Sequence, residues 1–151
     1  MNRRSALRWI SIAVCLLATA ATPAAASVPL NVSQVSDIAV DEAHGNIYIA
    51  DANVIAVLNL DGSVKGAIPD TADATDIDLS HDGSAIYVAL RSKHAIGVIN
   101  PVALTMTTID LGWGRCPSSI AQVGGVLWFK DDCPGPFIVG AVNLGSSPAT
   151  T

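Results

Sequence analysis

Residues 76–100 read DIDLSHDGSAIYVALRSKHAIGVIN and contain one run of alternating polar and apolar residues (76–80) and two mainly apolar runs (85–90 and 96–100). Runs of this length that are rich in Ile and Val favour β-strands over helices. Asp82 and Gly83 separate the first two runs, and glycine supplies the positive φ that a tight hairpin turn needs. The stretch therefore predicts consecutive antiparallel strands joined by short loops.

The same arrangement occurs twice more, once on either side of this stretch. The aligned segments are 37–59, 76–100 and 119–143, and each ends in an Asn that a small residue precedes by three positions: Ala56, Gly97 and Gly140. An isoleucine in the first run recurs at intervals of 39 and 43 residues: Ile38, Ile77 and Ile120. An aromatic residue in the second run recurs at intervals of 39 and 41 residues: Tyr48, Tyr87 and Trp128. The chain thus contains an internal repeat of about 40 residues.

A repeat of this length, made only of short strands, predicts β-propeller blades. No segment after residue 27 has the 3.6-residue apolar period of an amphipathic helix. The near-continuous apolar second and third strands agree with sheets that pack against neighbours on both faces. We therefore predict an all-β fold of four-stranded antiparallel sheets, with propeller blades at approximately 37–75, 76–118 and 119–151.

Two of the units resemble known propeller repeats. The first contains IAVD, GNIYIAD and VLNLDG between Asp37 and Gly62, and it resembles an NHL-type repeat. The second, LSHDGSAIYVALRSKHAIGVINP, resembles the YVTN-type repeat of exported seven-bladed propellers. The third has two glycines and Trp128 where the family pattern has Asp-Gly and Tyr. The resemblance extends over about 37–145 and implies architecture rather than function, because the matched positions are strand and turn residues.

The predicted ring is incomplete. Propellers of these families have about six to eight blades, since a blade cannot bury both faces alone. Residues 27–151 hold three blades at most, and the third lacks an obvious fourth strand. Val28–Val32 has the pattern of an outer strand that belongs to a closing blade outside this chain. Three explanations stay open: an amino-terminal part of a longer propeller, two or more copies that close the ring, or sheet edges shielded from pairing.

The first 26 residues predict export. Three arginines accompany an apolar run over 10–21, and Ala24–Ala26 supplies small residues for cleavage after position 26. This is the layout of a secretory signal peptide. The run is too short and too rich in Ala and Thr for a spanning helix, which needs about 20 strongly apolar residues. We expect a cleaved signal peptide at 1–26, a secreted or extracytoplasmic protein, and no stable membrane insertion after cleavage.

Composition excludes two classes of protein. The chain is 50% apolar and only 14% charged, unlike a disordered chain. Removal of residues 1–26 takes away three of the eight basic side chains and none of the thirteen acidic ones, which leaves a formal net charge of −8. So acidic a chain offers no basic patch, and we expect no nucleic-acid partner.

Cys116 and Cys133 are the cysteines that remain after cleavage. An even number of cysteines in an exported protein predicts a disulfide. In propeller topology, the loop before a first strand and the loop between the second and third strands lie at the same end of the sheet. The two cysteines fall in one loop of each kind. A zinc site would need four ligands, and no Cys-x-x-Cys motif or His pair accompanies these thiols.

The same topology collects polar side chains at that end of the sheets. The candidate binding residues lie in loops or at strand ends: Asp51, Asn53, Arg91, Lys93, His94, Arg115, Lys130, Asp131 and Asp132. Propellers of the resembled families usually bind partners on this face, which implies a protein, peptide or glycan ligand. The alternative interpretation is that these are solvated loop charges with no partner.

The sequence favours a non-catalytic protein without a metal or other cofactor. Propeller lactonases hold a divalent metal with Glu, Asn and Asp, whereas Glu42, the one glutamate, lies in a turn at the opposite end. Asp76 and Asp78 alternate with apolar residues along one strand face and lack the Gly and Glu of a calcium loop. We therefore expect an exported binding scaffold that self-associates through open blade edges. The alternative is the amino-terminal fragment of an exported propeller enzyme, lactonase-like or lyase-like, whose active site lies in further blades.

Overall fold

The computed structural model describes Val32, 34–51, 53–133 and 135–145, which form eleven β-strands and one short 3-10 helix, Arg91–Lys93. The strands are β1 (Val35–Asp41), β2 (Asn46–Asp51), β3 (Val54–Asn59), β4 (Val64–Pro69), β5 (Ala74–Leu79), β6 (Ile86–Leu90), β7 (Ala95–Asn100), β8 (Thr105–Asp110), β9 (Pro117–Val123), β10 (Val126–Asp131) and β11 (Ile138–Asn143). The predicted all-β class is confirmed. The predicted signal peptide and nearly all of the predicted Val28–Val32 strand lie outside the described residues. Within those residues, no helix has the length and apolar character that a membrane crossing requires.

The strands form three antiparallel sheets in chain order. Blade one is β1-β2-β3-β4, blade two is β5-β6-β7-β8, and blade three is β9-β10-β11. The first strands β1 and β9 both pack against β5, so blade two lies between the other two blades. The sheets therefore form an open row rather than a closed ring. Blades one and two have the predicted fourth strand, whereas the described part of blade three has three strands.

The core lies between the blades, and it consists of two separate clusters. All five residues of β6 are buried. Val88 packs with Tyr48 of blade one, whereas Tyr87 faces the other way and packs with Phe129 of blade three. Burial of one large aliphatic or aromatic side chain stabilises the fold by about 1.5–3 kcal/mol. The second strand of blade two is near-continuously apolar because both of its faces are covered.

Carboxylates on the first strands join neighbouring blades where their backbones do not pair. The Oδ2 atom of Asp37 accepts a hydrogen bond from the Ile77 N–H at 2.8 Å. One blade further on, Oδ2 of Asp76 accepts a hydrogen bond from the Ile120 N–H at 2.6 Å. We call this repeated interaction the first-strand carboxylate contact. It satisfies N–H groups of an edge strand that would otherwise lack a partner.

Asp78 adds a second contact of this kind between blades two and three. Its Oδ2 atom accepts a hydrogen bond from the Gln122 N–H at 2.6 Å. Asp76 and Asp78 therefore lie on one face of β5, as their alternation with apolar residues predicts. Both carboxylates are engaged with the neighbouring strand, which explains why acidic residues stand in an otherwise apolar run.

The small residue that precedes each third-strand Asn has a packing reason in blades two and three. A Cβ atom on Gly97 would lie 2.7 Å from Sδ of Met106 and 3.3 Å from Cδ1 of Leu90. In blade three, the ring of Phe129 lies directly over Gly140 and leaves no room for a side chain. The small residue of the repeat therefore meets a steric requirement, because a neighbouring side chain lies across the backbone of the third strand.

Candidate functional site

Loops of all three blades meet at one end of the row, which we call the entry face. It comprises the loops that lead into β5 and β9 (70–73 and 111–116) and the described residues between second and third strands (53, 91–94, 132–133 and 135–137). Antiparallel strands bring these loops to the same end because each first strand begins where the second strand ends. All nine predicted binding residues lie in these loops or at the adjoining strand ends, but they differ in exposure and in partners.

Asp131 organises the loops of blade three from a buried position. Its Oδ1 atom accepts hydrogen bonds from the N–H groups of Cys116 at 2.8 Å and Cys133 at 3.2 Å. Its Oδ2 atom accepts a hydrogen bond from Nη1 of Arg115 at 3.0 Å. Burial opposes the charged form, but these hydrogen bonds and the Arg115 charge outweigh it and lower the pKa of the Asp131 carboxyl. Asp131 therefore positions the entry face and is not available to a partner.

Asp51 has a comparable structural position at the end of β2. Its side chain is buried, and Oδ1 accepts a hydrogen bond from the Gln34 N–H at 2.9 Å. The predicted residue next to this loop, Asn53, is exposed, and its carbonyl oxygen accepts a hydrogen bond from the Thr71 N–H at 3.4 Å. Of the two predicted residues in blade one, only Asn53 presents its side chain to solvent.

The predicted disulfide between Cys116 and Cys133 is confirmed. It links residues 17 apart, and their Cα atoms are separated by 4.9 Å. A backbone hydrogen bond of 2.9 Å, from the Asp132 N–H to the Cys116 carbonyl oxygen, runs beside it. The bridge therefore ties the loop before β9 to the loop after β10, and it fixes the part of the entry face that Asp131 also holds.

Trp113 is the most exposed large side chain on the entry face, at 93% relative exposure. It lies between Gly112 and Gly114, both with φ near +86°, a conformation that favours glycine. Its ring meets the ring of His94 edge to face, with centroids 4.7 Å apart. Trp113 is not among the binding residues predicted from the sequence. An isolated loop residue takes no part in the repeat. The one indication that the sequence offered was therefore Gly-Trp-Gly in a loop.

His94 connects blades two and three beneath that tryptophan. It adopts a left-handed conformation with φ of 55° after the 3-10 helix, and its N–H donates to the Arg91 carbonyl oxygen. Nδ1 makes a hydrogen bond with the carbonyl oxygen of Arg115, and the His94 carbonyl oxygen accepts from the Leu111 N–H at 2.9 Å. His94 thus holds the Trp113 loop in place from below.

The basic side chains of the entry face are partly neutralised by neighbouring carboxylates. Lys93 forms an ion pair with Asp70. Lys130 forms one with Asp132 at 2.9 Å, and this hydrogen-bonded pairing is the main reason why the pKa of Asp132 is lowered. Arg91 is exposed, and its charge contributes to the same lowering. Surface pairs of this kind stabilise weakly, by about 0–1 kcal/mol, so a charged partner can displace them.

Two shallow depressions adjoin Arg115. One, of about 410 Å³, lies between the end of β8 and β11 and is lined by Leu111, Phe129 and Ile138 among others. The second, of about 200 Å³, lies beside the disulfide and includes Gly114 and Pro136. Arg115 therefore lines both open depressions and follows the exposed Trp113 by two residues.

Among the described residues, one group of His and Cys side chains is close enough to suggest a metal site, but it does not form one. A ring nitrogen of His94 and the sulfurs of Cys116 and Cys133 lie within 4.8 Å of one another. The two sulfurs are bonded to each other. Only the imidazole nitrogen is left as a ligand, and one ligand does not make a zinc site.

No protein-family model matches this chain. No curated protein matches it either. Among solved structures, Kuenenia stuttgartiensis hydrazine synthase is similar, with a TM-score of 0.62, 15% identity, and coverage of 80% of this chain and 35% of that chain. The WD40 domain of Neurospora crassa Pan2 has a TM-score of 0.50, 14% identity, and coverage of 72% and 36%. These similarities show the β-propeller fold and nothing about activity. The chain spans about a third of the length of each structure.

Proposed function

We propose that this chain is an exported, non-catalytic segment of a YVTN- or NHL-type propeller that binds a protein, peptide or glycan through its entry face. The proposed processing removes residues 1–26. The exposed Trp113 carries the proposal. A tryptophan that is 93% exposed gains nothing for folding, and indole rings are enriched at binding surfaces because they offer a large, rigid contact area.

The surroundings of Trp113 suit a ligand with both apolar and polar groups. The indole ring meets the His94 ring edge to face, and the loop ends at Arg115, which adjoins the two depressions. The disulfide and the buried Asp131 carboxylate hold this region in a fixed conformation. A rigid aromatic surface with one adjacent guanidinium loses little conformational entropy on binding. Sugars, which stack on aromatic rings, and peptides with an acidic group both meet that description.

Export is supported by the disulfide. Disulfides persist in oxidising compartments and are rare where thiols are kept reduced. The intact mass of the product from the cell that expresses it, measured before and after reduction, tests this part of the proposal. The mass of residues 27–151, lower by two hydrogens before reduction, is the expected result. A product that retains residues 1–26, or that carries free thiols, would contradict it.

Binding can be measured on the cell envelope of the expressing organism. We expect the purified protein to sediment with this fraction and Trp113→Ala to lower the affinity by at least about tenfold. His94→Ala should also weaken binding because it removes the support of the Trp113 loop. The matched control is His81→Ala, since His81 is exposed in a turn at the opposite end of the sheets. Equal sedimentation of all four proteins would contradict binding through the entry face.

Treatment of the envelope then separates the ligand classes. Loss of binding after protease digestion identifies a protein or peptide, and loss after periodate oxidation identifies a glycan. The catalytic alternative predicts instead a chelator-sensitive hydrolytic or lyase activity in the gene product. No observation on the described residues favours that alternative.

A further inference from the structure

Both ends of the open row present apolar surface that no other part of the described chain covers. On β1 of blade one, Ile38 and Val40 face away from blade two and are 55% and 50% exposed. On blade three, Val139 of β11 is 70% exposed and lies on the same sheet face as Trp128. Lys130, which pairs with Val139, lies on that face as well. Exposed apolar side chains that share a sheet face are typical of interaction sites.

Each exposed end is one half of a junction that the chain makes twice internally. Tyr48 of blade one and Tyr87 of blade two occupy equivalent positions, and each is buried against the blade that follows. Trp128 has the same position in blade three and is 45% exposed. The aromatic residue of blade three is therefore placed for a following blade.

The polar half of the junction repeats in the same way. Ile77 and Ile120 each donate their N–H to a first-strand carboxylate of the preceding blade. The equivalent residue of blade one is Ile38, whose N–H is bonded instead to Oδ1 of its own neighbour Asp37 at 2.8 Å. Ser119, exposed in blade three, aligns with Asp37 and Asp76, whose carboxylates accept these N–H groups, and its hydroxyl oxygen can accept the Ile38 N–H of a following blade. Blade three thus carries an acceptor at the position from which Asp37 and Asp76 contact the blade that follows them.

We propose that a second copy of this chain closes the row, so that blade three of each copy packs on blade one of the other. A second copy has both complementary surfaces. An unrelated protein would need two different surfaces to cover both ends of the row. Two copies give a ring of six blades, within the range of about four to eight that propellers adopt. Both contacts in this ring are identical and join unlike surfaces, and two of them close it about a twofold axis.

Light scattering of the full chain, as processed by the expressing cell, tests the proposal over a hundredfold range of concentration. The expected mass is twice that of one chain. Ile38→Asp and Val139→Asp should each give a monomer, because either substitution places a charge in both junctions. Val102→Asp is the matched control, since Val102 is exposed in a turn outside the junction. A monomeric wild-type chain, with its faces covered by its own leading residues or by nothing, overturns the proposal. A series of oligomers that grows beyond two chains also overturns the proposal.

Mixing the two monomeric variants distinguishes this arrangement from a symmetric face-to-face dimer. A mixed pair has one junction free of substitutions and one that carries both, so we expect partial recovery of dimer on mixing. No recovery would overturn the head-to-tail junction. If either variant loses its circular dichroism spectrum, amide exchange of the wild-type chain decides instead. Slowed exchange of the Ile38 N–H and of β11 with increasing concentration supports the proposal, and unchanged exchange overturns it.

Discussion

Substitutions of Asp76 test whether a carboxylate, rather than apolar packing alone, holds blade two to blade three. The Oδ2 atom of Asp76 accepts the Ile120 N–H at 2.6 Å. A hydrogen bond to a charged group contributes about 1.5–3 kcal/mol to stability. Asp76→Ala also leaves that N–H without its acceptor, so we expect the free energy of unfolding to fall by about 2 kcal/mol. Asp76→Asn retains an acceptor oxygen and should cost less than about 1 kcal/mol.

The pH dependence of Asp76 provides a second, independent test. Burial raises the pKa of this carboxyl, and the neighbouring Asp37 raises it further, against the lowering effect of the Ile120 N–H. The folded state therefore holds this proton more tightly than the unfolded chain. The resulting stability is fully present below the unfolded pKa of about 3.9 and is lost as the pH rises through the higher folded pKa. Asp76→Asn has no such proton.

Urea unfolding of the three proteins at pH 4 and pH 7 measures both effects. The wild-type protein should lose stability relative to Asp76→Asn as the pH rises, because the Asp76 carboxylate then carries a charge in a partly buried position and next to Asp37. Titrating groups other than Asp76 and its neighbour Asp37 are common to both proteins and cancel in the difference. Equal destabilisation by Ala and Asn at pH 7 would show that the hydrogen bond does not matter. If the difference in unfolding free energy between the wild type and Asp76→Asn changes in the opposite direction with pH, the raised pKa of Asp76 is refuted.

Three further predictions concern the disulfide, the buried carboxylate of the entry face and the steric requirement of the third strand. Replacing Cys116 and Cys133 together with serine should lower the unfolding free energy by about 3 kcal/mol, and the reductant dependence of the urea midpoint should disappear. Asp131→Asn should lower the free energy of unfolding by about 1–3 kcal/mol at pH 7. Because the pKa of the Asp131 carboxyl is lowered, its contribution to stability is present above the unfolded pKa and is lost as the pH falls through the folded pKa. The variant and the wild type should therefore have the same stability in acid. Gly140→Ala should destabilise by about 1–3 kcal/mol in thermal unfolding because a phenyl ring covers that position, whereas Gly66→Ala, with open space around it, should stay within about 0.5 kcal/mol.

The strands and their order could be predicted from the repeat, because the packing of a blade determines which residues along its strands are apolar. The residues of β6 are apolar at every position, and that pattern already indicates a sheet covered on both faces. The sequence also placed Asp76 and Asp78 on one face of their strand. It did not identify their partners, because the Ile120 and Gln122 N–H groups lie 44 residues away in the chain. Such contacts depend on the angle between neighbouring sheets, which no local pattern specifies.

The entry face could be located by topology, but the role of each side chain could not. Loop length and strand direction are enough to bring Arg115 and Asp131 to one end. Burial then separates them: Asp131 satisfies two loop N–H groups, whereas Arg115 reaches solvent. An aspartate at a strand end looks the same in sequence whether it supports a loop or contacts a ligand. Trp113 was missed for the converse reason, because exposure is a property of the folded loop.

The chemistry of the junction also decides which form of self-association is possible. A face-to-face dimer through blade three would bring Ser119 against its own copy and leave the Ile38 N–H where it is, bonded to Asp37. A dimer through blade one would leave Trp128 exposed. Of these three arrangements, only the head-to-tail one covers both apolar ends and offers the Ile38 N–H an acceptor on a preceding blade, as Ile77 and Ile120 have. Open edge strands pair indiscriminately unless something directs them. In the proposed ring, the contact that orders the blades within one chain would also determine which edge meets which.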